Sequence, residues 1–149
     1  MIVYERTSGN DDRFVKLVAA LDADLAVRDG DDHDFYHQFN GLDDIHHAII
    51  ASRNGMPVSC GAFKAFDQQT VEIKRMYTLP EHRGQGIAGQ LLKELEKWAG
   101  ELQHRRCVLE TGLQQPEAIR LYEHSGYVRT ENYGQYKGIE NSQCFEKVL

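Results

Sequence analysis

A chain of 149 residues fits one domain over residues 1–149, with interior enough for one core. Its 41% hydrophobic and 27% charged residues are ordinary for a globular protein, and a net charge of −6 argues against non-specific binding to nucleic acid or to an anionic membrane. No apolar run approaches the roughly 20 residues of a membrane-spanning helix, and the start, MIVYERT, lacks the basic and long apolar regions of a signal peptide.

Residues 1–7 alternate, with Ile2 and Tyr4 set against Val3 and Glu5, which predicts a strand. Residues 11–28 carry Phe14, Val15, Leu17, Val18, Leu21, Leu25 and Ala26 at helical spacing, after a start signal at Ser8-Gly9-Asn10-Asp11. Arg28 to Asp34 reads as a turn, and a short helix is expected around Phe35–Phe39. Ala48-Ile49-Ile50-Ala51 reads as a buried strand. Asn54-Gly55 is a hairpin signal that returns the chain into a second strand, Val58 to Phe66. After Asp67-Gln68-Gln69, Val71 to Leu79 forms a third, so the three make an antiparallel meander. Pro80 ends it. Ile87, Leu91, Leu92, Leu95, Trp98, Ala99 and Leu102 then mark one face of a long helix. Cys107-Val108-Leu109 is a short strand, Pro116 opens another helix and Gly126 ends it. Two closing strands are expected at Tyr127–Arg129 and Gln143–Val148. The predicted fold class is α+β, a mixed and mostly antiparallel sheet flanked by helices. The β–α–β unit over 71–110 supplies its parallel pair.

Arg83-Gly84-Gln85-Gly86-Ile87-Ala88-Gly89 lies between a strand and an amphipathic helix. A helix start leaves backbone N–H groups unpaired, and glycines let a ligand approach the backbone. Together they suit pyrophosphate oxygens, with Arg83 adding a positive charge. A helix entry that uses glycine merely to turn is the bland alternative. The segment also spells the dinucleotide pattern at Gly84, Gly86 and Gly89, with Glu110 about 20 residues on. That fingerprint needs a loop close to its strand and further parallel repeats, whereas Pro80-Glu81-His82 intervenes and one helix remains.

The segment EIKRMYTLPEHRGQGIAGQLL resembles the central motif of the Gcn5-related N-acetyltransferase (GNAT) superfamily, Arg/Gln-x-x-Gly-x-Gly/Ala, through Arg83, Gly86 and Ala88. Residues 115–127, QPEAIRLYEHSGY, resemble a second motif of that family, with Gln115 in place of its Asn. The two lie in the family's order and spacing. The resemblance implies a splayed parallel pair, Val71–Leu79 and Cys107–Thr111, between which acetyl-CoA inserts. Met76, Tyr77 and Thr78 would pair with the pantetheine arm as a missing strand does. The loop from Arg83 to Gly89, Gln85 and Ile87 included, would hold the pyrophosphate, and Gln115 would stand near the cofactor.

The resemblance further implies acetyl transfer to a primary amine of a small molecule or peptide. Tyr122 would serve as donor to the departing thiolate, against the alternative of an ordinary packing tyrosine. Glu72 is the candidate base, directly or through water, or else a solvent-facing strand carboxylate. Strict alternation puts Glu72, Lys74 and Met76 on one face and Ile73, Arg75 and Tyr77 on the other, and Lys74 would weaken Glu72 as a base. Glu110 is the rival. A non-catalytic acyl-CoA-binding module and a nucleotide-binding domain remain the competing functions.

Cys60, Cys107 and Cys144 are odd in number and far apart, which reads as buried thiols in a reducing cytoplasm. The seven histidines, His33 and His37 at i, i+4 and the adjacent His46-His47 among them, lack a metal signature and read as solvent-facing; no metal is expected. The acidic N-terminal part (Asp22, Asp24, Asp29, Asp31, Asp32, Asp34, Asp43 and Asp44) is either a solvated face or an attraction for a cationic amine. Tyr133, Tyr136 and Phe145 line the acceptor pocket or complete the core. A homodimer is left open.

Overall fold

The structure, a computed structural model, describes residues 1–29 and 44–149. The expected helix at Phe35–Phe39, the His33/His37 pair and the acidic residues from Asp31 to Asp43 lie outside them. Among the described residues, seven strands form one sheet in the order β1-β2-β3-β4-β5-β7-β6. They are β1 (Ile2–Thr7), β2 (His47–Arg53), β3 (Met56–Ala65), β4 (Thr70–Thr78), β5 (Arg106–Gly112), β6 (Val128–Thr130) and β7 (Ser142–Val148). Each pairing is antiparallel except β4 with β5. The last strand slots between β5 and β6.

Among the described residues, three helices cover the sheet. The first, α1 (Asp12–Asp29), runs past Arg28, where a turn was expected. Its start is capped by Asp11, whose Oδ1 accepts from Arg13 N at 2.9 Å and whose Oδ2 accepts from Thr7 Oγ1 at 2.8 Å. Phe14, Leu17 and Val18 bury one stripe against Ala48, Ile50, Cys60 and Ala62. The opposite face carries α2 (Ile87–Glu101) and α3 (Pro116–His124). There Ile87, Leu91, Leu92, Leu95 and Ala99 of α2 pack on Ile49, Phe63, Val71 and Ile73. Full burial of each such leucine contributes about 1.5–3 kcal/mol. Leu102, expected on that stripe, caps the helix and is 43% exposed. Trp98 instead meets Phe63 and His47, whose ring stacks on Phe63 at 4.9 Å, so His47 is a packing residue and not a solvent-facing one.

Two irregularities shape the middle of the sheet. The parallel strands β4 and β5 pair at Thr70↔Arg106, Val71↔Cys107 and Glu72↔Val108 and then separate. Just beyond, β4 bulges: Cys60 faces Tyr77 and Ala62 faces Lys74, which leaves Gly61 opposite both Arg75 and Met76. Arg75 takes a left-handed φ of 62° there. The extra residue breaks the alternation expected from sequence. Met76 joins Ile73 on the α2 face, while Tyr77 packs toward α1 and Arg75 reaches Asp22 of α1. Gly61 makes room for this arrangement, since a Cβ on it would lie 2.4 Å from Met76 Sδ and 2.8 Å from Leu91 Cδ2.

Candidate active site

The splay opens two adjoining clefts. One, of about 280 Å³, runs from Met76, Tyr77 and Thr78 to the loop at Arg83, Gly84, Gly86, Ile87, Ala88 and Gly89. The other, of about 100 Å³, is bounded by Glu72, Lys74 and Arg75 of β4, Glu110 and Thr111 of β5, and Tyr136. Leu21, Met76, Gln115, Ala118 and Tyr122 border both, so the two clefts meet there. The roof is α1. Arg28 pairs with Asp24 at 3.0 Å and with Glu117, and donates to Gln114 O at 3.4 Å, tying α1 to the start of α3.

At the loop, a 3-10 turn over Pro80–His82 leads to Gly84 and Gly86, with φ of 74° and 82°. An L side chain rarely adopts such values, which is why glycine stands at both. Gly86 caps α2, and the first intrahelical bond runs from Gln90 N to Gly86 O at 3.1 Å. The amides of Ile87, Ala88 and Gly89 precede it, and no acidic residue stands in the first turn. Unpaired amides at a helix start with no opposing carboxylate suit an anion. Arg83 donates from Nε to Thr78 O at 2.8 Å and lies over the Tyr77 ring at 5.4 Å. Its charge thus borders the cleft from a fixed position. In the same loop Gln85 Oε1 accepts from Arg53 Nη2 at 2.5 Å and its Nε2 donates to Glu81 O at 3.3 Å. Its side chain thus links the loop to the end of β2. Arg53, from the end of β2, carries no local signal and appears once the hairpin folds beside the loop.

In the second cleft Glu72 is 4% exposed. Its Oε2 accepts from Tyr133 Oη at 2.7 Å, and Lys74 Nζ stands 3.8 Å from Oε1. Burial, and then the Glu72 charge, push the Tyr133 phenol well above its ordinary pKa, so it remains a donor. Burial pushes the Lys74 ammonium down, against the pull of Glu72. Tyr136, also buried, is raised by burial and by the charges of Glu110 and Glu72. Tyr133 and Tyr136 stand edge to face at 5.7 Å in the loop between β6 and β7, and Asn132 Nδ2 braces that loop through three carbonyls at 3.1 Å each. Phe145 is a core residue beside Tyr122, with ring centroids 6.4 Å apart. Tyr122 itself is 6% exposed, and burial followed by the Glu110 charge raises its pKa, which keeps the phenol protonated.

All three cysteines are free and buried, and burial pushes Cys60 and Cys107 to about 12 and Cys144 to about 11. None offers a thiolate nucleophile. Among the described residues, no three His, Cys, Asp or Glu side chains are grouped to hold a metal, and no helix is long and apolar enough to cross a membrane.

Comparison with known proteins agrees with this geometry. The family model described as the acetyltransferase (GNAT) family matches residues 15–127. An IAA acetyltransferase of Azospirillum brasilense is 35% identical over 103 residues, covering 68% of this chain and 67% of that protein. The uncharacterized N-acetyltransferase YjgM of Escherichia coli (strain K12) is 45% identical over 56 residues, which span 38% of this chain and about a third, 34%, of that relative. A Klebsiella pneumoniae structure with a provisional acyl-CoA N-acyltransferase assignment superposes with a TM-score of 0.85 at 30% identity, over 100% of this chain and 98% of that one. A GNAT family acetyltransferase from Elizabethkingia anophelis with acetyl-CoA bound shares the fold, with a TM-score of 0.72 at 20% identity over 99% and 98% of the two chains. The chain belongs to the GNAT acetyltransferase family, and it is an acyltransferase dependent on acetyl-CoA.

Proposed function

We propose that the protein transfers the acetyl group of acetyl-CoA directly to a primary amine of a small molecule or peptide. The observation that carries this is the meeting of the two clefts at Met76 and Tyr122. A thioester threaded along β4 from the glycine loop would end where an acceptor in the second cleft can reach it. Met76, Tyr77 and Thr78 would hold the pantetheine arm, and the amides from Gly84 to Gly89 the pyrophosphate. Gln115, which borders both clefts, would stand over the thioester.

The acceptor must lose a proton to attack, because an alkyl ammonium has no free lone pair. Nitrogen then bonds to the carbonyl carbon and gives up a second proton, to the base or to water, as the C–S bond breaks and the thiolate leaves. An alkyl thiol has a pKa of about 8.5 and a free phenol one of about 10. With the Tyr122 phenol raised further by burial, its proton stays on oxygen, and its role is a hydrogen bond that stabilises the departing thiolate. Glu72 remains a candidate base, but Tyr133 Oη donates to one of its oxygens and the Lys74 ammonium stands 3.8 Å from the other. Glu110 borders the same cleft and is the rival base, directly or through one water. The proposal includes a single catalytic domain over residues 1–149 working in the cytoplasm, where three reduced thiols persist.

Steady-state release of CoA across a panel of primary amines tests the proposal. Tyr122→Phe is expected to lower kcat by about 10–100-fold, the loss of one hydrogen bond to a charged group, with acetyl-CoA affinity unchanged. Glu110→Gln is expected to lower kcat/KM, while Glu72→Gln mainly raises the acceptor KM. Tight acetyl-CoA binding with no CoA release from any amine would return the chain to a non-catalytic binding module.

A further inference from the structure

Arg53 is a charged residue that neither family motif contains and the proposed reaction does not use. It lies at the end of β2, directly before the Asn54-Gly55 turn, whose φ values are 50° and 85°. Its guanidinium spans two residues of the opposite loop. Nη1 meets His82 Nδ1 at 3.1 Å, and Nη2 donates to Gln85 Oε1 at 2.5 Å. Gln85 is in turn tied to Glu81 O at 3.3 Å. One guanidinium therefore clamps both ends of the tetrapeptide that leads into the glycine loop.

The contact with His82 has a chemical consequence. A guanidinium can only donate, so His82 Nδ1 must accept. The ring proton is then on Nε2, because the bond made by one ring nitrogen decides the state of the other. His82 borders the larger cleft beside Arg83, Gly84 and Gly86. Nε2–H is the donor that it can present there, at the end of the cleft formed by the helix start. Without Arg53 the imidazole could turn or take the other tautomer and offer an acceptor lone pair to an anion, which repels it.

We infer that Arg53 is a positioning residue for the phosphate end of the cofactor cleft, fixing Gln85 and orienting His82 so that its Nε2–H donates to a phosphate oxygen of acetyl-CoA. The inference rests on the acetyl-CoA reading above. Its ligand chemistry is a phosphate ester, either the pyrophosphate or the 3′-phosphate of the cofactor.

Calorimetric titration with acetyl-CoA, 3′-dephospho-acetyl-CoA and S-acetylpantetheine tests it, with thermal melts as the folding control. His82→Ala and Arg53→Gln are each expected to weaken acetyl-CoA by about ten-fold, the scale of one charge-assisted hydrogen bond. Binding of S-acetylpantetheine, which has no phosphate, should be unchanged. The double variant should lose less than the sum of the two single losses, because Arg53 acts on the phosphate through His82 as well as through Gln85. Arg53→Lys keeps the charge but cannot reach both partners, so it should not restore affinity. Equal losses for acetyl-CoA and its dephospho form assign the contact to the pyrophosphate; a loss confined to acetyl-CoA assigns it to the 3′-phosphate. Equal weakening of S-acetylpantetheine, additive losses in the double variant, or full rescue by lysine would overturn the inference. Failure of the unsubstituted protein to bind acetyl-CoA would instead remove the reading on which it rests.

Discussion

Replacing Gly61 by alanine probes the bulge of β4 at the place where the two clefts meet. An added Cβ would stand 2.4 Å from Met76 Sδ, 2.8 Å from Leu91 Cδ2 and 3.1 Å from Leu95 Cδ1. Both leucines are completely buried, so neither has free space to enter. Met76 must move, and its way out is into the clefts that it borders. Overpacking of this kind costs about 1–3 kcal/mol. For a chain of this length that corresponds to a Tm lowered by roughly 2–10 °C. Thermal unfolding followed by circular dichroism reads the loss, and titration with acetyl-CoA should show weakened binding in the folded variant. A second substitution, Met76→Ala, removes the colliding sulfur. Its cost in the Gly61→Ala background should be smaller than in the unsubstituted protein by about 1 kcal/mol or more. A Gly61→Ala protein that melts within about 1 °C of the parent and binds acetyl-CoA as tightly would refute the packing argument.

Gly86→Val should weaken acetyl-CoA binding by about 100-fold or more, because the branch projects into the cleft. The comparator is Gly138→Val, at φ 79° against 82° and likewise with no atom within 4 Å of an added Cβ. It carries the same backbone cost of about 1–2 kcal/mol without the affinity loss. If both variants bind equally well, the loop is no cradle. Asp11→Ala removes the cap of α1 and should cost about 1 kcal/mol at neutral pH, read as a lower Tm. Hydrogen bonds from Arg13, first, and Thr7 hold the Asp11 carboxyl well below the usual carboxylate range, against a smaller effect of burial. Its contribution is therefore complete above the unfolded pKa of about 3.9 and fades as pH falls toward the lower folded value, so the gap between parent and variant should close only in acid. An unchanged gap through that range would show that the cap's charge is irrelevant. Finally, Cys60, Cys107 and Cys144 should resist a thiol reagent in the native state and react together on unfolding; rapid labelling of any one in the native protein would contradict its burial.

Much of this architecture is legible in the sequence where the signal is local. Asn54-Gly55 marks the hairpin, the leucine stripe marks α2, and Gly84 and Gly86 announce left-handed backbone next to a helix start. The bulge is only half legible: Val71-Glu72-Ile73-Lys74 alternates, and the adjacent polar pair Lys74-Arg75 then breaks the rhythm where the bulge lies. Its cause, Gly61, is on the neighbouring strand. The insertion of β7 between β5 and β6 is hidden, since pairing order is decided by faces and loops far apart in the chain. Glu72 was visible as a strand carboxylate, but Tyr133, its hydrogen-bond partner, is 61 residues away. Arg53 escaped notice for the same reason, being 29 residues from His82.

The splay also bears on cooperativity. Hydrogen-bonded continuity between the half-sheet β1–β4 and the half-sheet β5-β7-β6 rests on a seam of three residue pairs, Thr70 to Glu72 against Arg106 to Val108. Such a seam lets the two halves open as separate units with their own free energies. A ligand that bridges both strands adds its binding energy to the joined state alone. Native-state hydrogen exchange should therefore resolve two opening units in the free enzyme, and acetyl-CoA should merge them into one. The cofactor then acts as mortar between two folding units as well as a source of acetyl groups.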